Sequence, residues 1–395
     1  MFIKKLHIGR WLCSIKKSYL ICGMLVIITP IPDMNVTSNA SSFLQKPTPS
    51  LVGNDHTFSG SLLRLNDGKL IHIFRLDTGI NSNHVGNQAA IAKRISNNNG
   101  KTWSKPQIIY NDEYDDRVSS ANLLDNGSII VFFFRYRTFE QWSGYTVDNN
   151  YIISKNNGKT WSKRIVIDSA TTSTCFMSIF KIKGIKGYFV PTYGNNYIDI
   201  RYSRNGTNWN TVYCKWDYRE DCSLDVSEPC FVSCGKGKII GLFRVENKPI
   251  HQVVSLDYGK TWTKPKPTSL ANGFFCPYPY MFYDNKLKKL FTIVTDRRGG
   301  SYSEKNKESG LWVYVDNADK VINNPKSYSL SRFVNRPDPN IFRFLGYPAS
   351  VKVSKSTYLI VFSDSYKRNE NQLENADYYQ CYFTLFPNKR YKKTS

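Results

Sequence analysis

A short turn recurs along this chain, and its spacing restricts the fold more than any other feature. Residues 95–106 read ISNNNGKTWSKP, residues 153–164 read ISKNNGKTWSKR, and residues 255–265 read SLDYGKTWTKP. The shared pattern is Ser-x-Asx-x-Gly-x-Thr-Trp. It falls on Ser96, Asn98, Gly100, Thr102 and Trp103, then on Ser154, Asn156, Gly158, Thr160 and Trp161, and again on Ser255, Asp257, Gly259, Thr261 and Trp262. A degenerate copy, SRNGTNW, is one residue shorter and ends at Trp209. Successive Trp residues lie 58, 48 and 53 positions apart. A period of about 50 residues suits one four-stranded propeller blade, a unit that buries its core only by stacking on its neighbours. The turn has a local explanation. Asx accepts hydrogen bonds from backbone N–H groups further along, and Gly takes a positive φ without steric cost. Asn does this as well as Asp, and each Trp is expected to pack beneath its turn against the blade. The motif therefore reads as a folding device and not as a site.

Strand-like runs precede the copies: AAIAKRIS, NYIISK, IDIRYS and HQVVSL. Upstream sit turns followed by apolar runs, LNDGKLIHIF, LDNGSIIVFFF and CGKGKIIGLF, which read as β-hairpins. The pattern continues as YDNKLKKLFTIV and VSKSTYLIVF without the repeated turn. Strong helical periodicity is absent. The hairpins group into units near 57–110, 115–168, 172–218, 225–268, 275–330 and 340–388. The expected fold is all-β, a six-bladed β-propeller of four-stranded antiparallel blades over residues 46–390. A basic and hydrophobic segment, 1–45, precedes it, and a basic tail, 391–395, follows.

Composition supports a large core: 41% of residues are hydrophobic and 14% aromatic. The formal net charge of +23 would attract polyanions. The basic residues are dispersed, however, and no nucleic-acid readout motif appears, so a nucleic-acid partner is not expected. Lys4, Lys5, Arg10, Lys16 and Lys17 precede the apolar run Tyr19–Ile31. That run is shorter than the roughly 20 residues of a membrane span and suits a signal segment. Secretion is the expectation; a short uncleaved membrane anchor is the alternative. Sequons at Asn35, Asn39, Asn126 and Asn205 are compatible with export. Nine Cys include no pair with zinc spacing. One or two disulfides within 214–234 fit an exported chain. Neither a metal nor a cofactor is expected, and the chain is expected to be a monomer.

The spaced turn resembles the Asp-box, or BNR repeat, of the sialidase superfamily, over about 330 residues from His56 to Phe386. The resemblance implies a central site: arginines that clamp a carboxylate, a Tyr nucleophile, a Glu that activates it, and an acid/base residue. Arg supplies bidentate, charge-assisted bonds to carboxylates. A Tyr hydroxyl needs a general base before it can attack. In SEPCFVSCGKGKIIGLFR, the resemblance nominates Glu228 as the base and Arg244 as a carboxylate ligand. In FTIVTDRRGG it nominates Arg297, with adjacent Arg298 as the alternative. In LGYPASVKVSKSTYLIVF it nominates Tyr347 as the nucleophile.

The first blade departs from the family pattern. HTFSGSLLRL has no Arg at its opening, where Phe58 or Ser59 stands. Arg75, Arg135 and Arg137 are candidates for a displaced cation. In DTGINSNHVGNQ, His84 falls nearest the acid/base position, with Asp77 as the other candidate; His titrates in a useful range. The resemblance implies a sialidase-like hydrolase acting on sialic acid or another acidic sugar of an acidic glycan. The alternatives are a non-catalytic carbohydrate-binding propeller and a polysaccharide lyase on the same architecture.

Overall fold

The structure, a computed structural model, describes residues 50–53, 57–77, 88–140, 143–169, 175–194, 197–217, 224–246, 248–270, 278–296, 310–335, 343–366 and 375–385. The chain divides into Met1–Ser42 and Phe43–Ser395, and every described residue belongs to the second unit. That unit is all-β among the described residues apart from one short helix.

Strand β1 (Ser50–Gly53) comes first in the chain. A first four-strand group then holds β2 (Thr57–Arg64), β3 (Leu70–Asp77), β4 (Ala89–Ser96) and β5 (Gln107–Tyr110). The second holds β6 (Asp115–Leu123), β7 (Ile129–Glu140), β8 (Ser143–Ser154) and β9 (Ile165–Ser169). A single parallel pair, Ala89 with Asp115, joins these two antiparallel groups into one eight-stranded sheet. The third group is β10 (Cys175–Phe176), β11 (Tyr188–Gly194), β12 (Tyr197–Ser203) and β13 (Thr211–Asp217). The fourth is β14 (Val226–Gly235), β15 (Lys238–Val245), β16 (His251–Ser255) and β17 (Lys266–Pro267). The fifth is β18 (Tyr280–Asp284), β19 (Lys289–Asp296), β20 (Gly310–Asp316) and β21 (Leu330–Asn335), with helix α1 (Ala318–Asn323) between its last two strands. The sixth is β22 (Arg343–Lys352), β23 (Thr357–Tyr366) and β24 (Asn375–Thr384). Its fourth strand is β1, paired antiparallel with β24. The sequence placed the whole of this unit within 340–388; its outer strand instead comes from residues 50–53.

First strands of successive groups pack together, β2 on β6, β14 on β18, and β22 back on β2. Apolar clusters fill the seams. One holds Ile71, Ile73 and Ile91 of the first group with Val118, Ile129 and Val131 of the second.

The repeated turn joins the third and fourth strands of its group. At Ser154, Oγ accepts from Gly158 N at 2.9 Å, and Asn156 Oδ1 accepts from Thr160 N at 2.9 Å. The same bonds recur at Ser96/Asn98 and Ser255/Asp257. The Trp residues do more than pack against their own group. Trp209 meets Phe132 of the second group at 5.3 Å, and Trp262 meets Trp216 of the third at 4.9 Å. Trp161 packs on the cluster that contains Ile71 and Ile73 of the first, and Trp103 Nε1 donates to Gln380 of the sixth at 2.9 Å.

The expected disulfides within 214–234 are corrected for three of the four Cys: Cys214, Cys230 and Cys234 are free thiols. Burial pushes the Cys230 and Cys234 thiols up to about 12 and the Cys214 thiol to about 11. Cys230 Sγ accepts from Met281 N of the fifth group at 3.3 Å. Cys222 lies outside the described residues.

Candidate active site

A cavity of about 540 Å³ is lined by the first strand of every group. Gly60 of β2, Arg117 of β6, Cys175 of β10, Glu228 of β14, Tyr280 of β18 and Tyr347 of β22 all face it. Arg244, at the end of β15, joins them.

Two strand interruptions aim the central pair. Glu228 precedes Pro229, and Tyr347 precedes Pro348. Pro has no N–H to give to a ladder, so a Pro inside a strand marks a bulge. The pairing of β14 with β15 skips between Ser227 and Cys230, and that of β22 with β23 between Gly346 and Ala349. Glu228 and Tyr347 both adopt φ 51°, in the left-handed region that side chains disfavour. Such strain persists only where the surroundings impose it, and it collects at functional sites. Tyr278, also before a Pro, has φ 22°.

Tyr347 Oη donates to Glu228 Oε1 at 3.2 Å. The other oxygen, Glu228 Oε2, accepts from Tyr278 N at 2.8 Å and lies 3.7 Å from Arg244 Nη1. Arg244 Nη2 is held by Glu246 Oε2 at 2.7 Å. Burial opposes the Arg244 charge, but Glu228, Glu246 and Tyr347 outweigh it and raise the guanidinium above its ordinary pKa. Tyr193, on β11, also lines the cavity. Burial first, then Cys175 and Glu228, push its hydroxyl well above the ordinary value, so it stays a neutral donor. The arrangement offers a hydroxyl hydrogen-bonded to a carboxylate, a fixed guanidinium beside them, and neutral hydroxyls around. That is the equipment for attack on an electrophilic carbon next to an anionic group.

Glu228 and Arg244 of the fourth group thus converge with Tyr347 of the sixth. Arg75 is placed elsewhere. It is 1% exposed and its Nε donates to Asp115 Oδ1 at 2.7 Å, in the seam between the first two groups. Burial opposes its charge, yet Asp115, Asp77 and Asp116 raise its pKa. It is not among the residues lining the cavity, because these carboxylates hold it in the interior. Arg135 is gripped by Asp148, with Nε donating to Oδ1 at 2.8 Å, and stacks on Tyr114. Arg137 lies over the same ring, 5.0 Å from its centroid. His84, Arg297 and Arg298 lie outside the described residues, in the segments that link β3 to β4 and β19 to β20. Phe58 pairs with Arg75 through the backbone of β2 and β3.

Sequence reasoning passed over Arg117, Tyr193 and Tyr278. The Pro after Tyr278, matching those after Glu228 and Tyr347, was the available signal for a strand break facing the site. Arg117 carried no such mark.

A family model described as a BNR repeat-like domain matches residues 86–273. Among solved structures the chain is similar to the NanB sialidase from Streptococcus pneumoniae, at 13% identity over 90% of this chain and 73% of that one, with a TM-score of 0.60. It is similar to the intramolecular trans-sialidase from Ruminococcus gnavus, at 12% identity over 86% and 98%, with a TM-score of 0.55. A protein of unknown function from Dyadobacter fermentans is 15% identical over 86% and 99%, with a TM-score of 0.59. Curated proteins provide no match. Likeness at these identities establishes fold, and fold alone does not establish activity. The chain thus carries a BNR repeat-like domain over residues 86–273, on a fold similar to that of these sialidases.

Proposed function

We propose that this protein is a sialidase-like glycoside hydrolase that releases sialic acid or another acidic sugar from glycan termini, on a closed six-bladed β-propeller. The observation that carries this reading is the Tyr347–Glu228 hydrogen bond of 3.2 Å in a cavity shared with Arg244. In the first half-reaction Glu228 takes the phenolic proton as Tyr347 Oη bonds to the anomeric carbon. The glycosidic C–O bond breaks, and the leaving oxygen receives a proton from His84. In the second, His84 takes a proton from water, the water oxygen replaces Tyr347 at the anomeric carbon, and Glu228 returns the proton to Tyr347. Tyr in place of a carboxylate nucleophile is an attested exception among glycosidases and is the one named for sialidases. Arg244 binds the sugar carboxylate, and Arg297 or Arg298 adds to the clamp. The segment 1–45 directs export or anchors the protein at a membrane, and the protein acts as a monomer.

Turnover of a panel of sialosides and uronosides tests this. Tyr347→Phe abolishes release of the sugar, and Glu228→Gln lowers kcat by about 10²–10⁴-fold, the usual worth of a general base. Full activity in Tyr347→Phe sinks the assignment.

One observation favours a second reading, a non-catalytic glycan-binding propeller: Phe58 stands where the resemblance leads one to expect an arginine. Binding on a glycan array with no product release would support it.

A further inference from the structure

Arg117, the third residue of β6, lines the cavity with Glu228, Arg244 and Tyr347. Its side chain is 15% exposed, and its Nη1 donates to the buried Asp115 Oδ2 at 3.2 Å. Its guanidinium lies 5.7 Å from the Phe134 ring centroid and 5.8 Å from that of Tyr136. These contacts fix a long side chain before any ligand arrives, so less ordering entropy is lost on binding. Asp115 divides itself between two arginines, its other oxygen going to Arg75. Arg75 is enclosed with Asp77 and Asp116 acting on it as well, whereas Arg117 stands at the cavity wall.

Strand register fixes its height. Ala121 N donates to Ser61 Oγ at 2.8 Å, tying β6 to β2. Each strand carries a bulge between that tie and its start, at Phe58/Gly60 and at Val118/Ser120. Counting back from the tie sets Val118 level with Phe58. Arg117 is one residue beyond, about 3.3 Å along the strand. An arginine side chain spans that offset easily. The second group therefore brings a cation to the level at which the first group has none at Phe58.

The geometry points to Arg117 as a specificity-determining residue that, with Arg244 from the fourth group, grips a carboxylate of the ligand. Guanidinium groups from separate strands match the paired acceptors of a carboxylate better than they match a neutral sugar. This assignment rests on the cavity being a glycan site.

Equilibrium binding of N-acetylneuraminic acid and galacturonic acid to the full chain, each beside its methyl ester, provides the test. At least one acid binds, and more tightly than its ester. Arg117→Gln weakens that acid by about tenfold or more, the effect of losing a charge-assisted bond, and narrows the gap to the ester. Arg117→Lys keeps a charge for Asp115 but loses the planar fork, and falls between the two. If Arg117→Gln binds the acid as the wild type does while Arg244→Gln does not, Arg117 is excluded and the glycan site stands. If Arg117→Gln melts early, Arg117→Lys decides, and unchanged affinity there overturns the assignment. If the wild type binds neither acid, the assignment and the site fall together.

Discussion

Glu228 and Tyr347 each sit at φ 51° ahead of a proline. A left-handed backbone costs an ordinary residue about 1–2 kcal/mol and costs glycine little. Position 228 should therefore reverse the usual preference between the two smallest side chains. Glu228→Gly is expected to be more stable than Glu228→Ala by about 1 kcal/mol in urea denaturation. If the alanine variant is the more stable, the strained backbone is not intrinsic to the position. The place of Glu228 was legible in the sequence because the turn at Ser255 anchors the strand before it and, through the hairpin, the ends of β14 and β15, whereas Tyr347, in a group without the turn, was nominated by the resemblance alone. Arg117 was not legible. DEYDDR reads as a polar connection, and a one-residue change of register turns a strand's side chains to the opposite face. Only the bulge at Val118/Ser120 and the Ala121–Ser61 bond settle which of these residues meets the cavity.

At the scale of the element, the repeated turn is a staple between neighbouring groups as well as a local closure. Lys93 of the first group bonds Gly158 O in the turn of the second. Tyr151 of the second bonds Thr207 O in the turn of the third, and Tyr213 of the third bonds Tyr258 O in that of the fourth. Gln380 and Tyr382 of the sixth bond Gly100 O and Asn99 O in that of the first. The fifth group has no copy, and α1 stands in its place, with Gln252 of the fourth donating to Val321 O at 3.0 Å. The sixth lacks a connection at that point, since β1 enters from the other end of the chain. There Asp284 of the fifth accepts from Tyr358 Oη at 2.6 Å. The local half of this was readable from Ser, Asx and Gly; the staple was not, because its partners lie a whole group away. Gly158 has φ 78°, and a Cβ there would meet Ile71 Cδ1 of the first group at 2.9 Å. Gly158→Ala should cost about 1–3 kcal/mol from backbone strain and crowding together. Asn156→Asp should change stability by no more than about 0.5 kcal/mol. Asn156 Nδ2 donates to Thr160 Oγ1, whereas Asp257 Oδ2 accepts from Thr261 Oγ1, and a hydroxyl can rotate to serve either. A large loss in Asn156→Asp, read by the same denaturation curve, would show that the amide donor matters.

At the scale of the molecule, the first and last described strands meet in one sheet. Ser50 pairs with Gln380 and Leu51 with Tyr379, so β1 covers the edge of β24. β2 packs in turn on β22 and β23 of the same group. Residues 50–53 supply the fourth strand of that group. The sequence assigned a boundary near 45 from composition, and it could not show that the next few residues complete the last group, since four residues carry no readable period. Removal of residues 1–45 is therefore expected to leave the melting temperature unchanged. Removal of residues 1–56 strips β1, and an uncovered β24 is a template for pairing with another chain. Thermal melts should then fall by several degrees, with a concentration-dependent shift to larger species on gel filtration. Equal melting temperatures and a single monomer peak for the two truncations would mean that the sixth group holds with three strands, and that the packing of β2 on β22 together with the bonds from Gln380 and Tyr382 keeps the first and last groups together without β1.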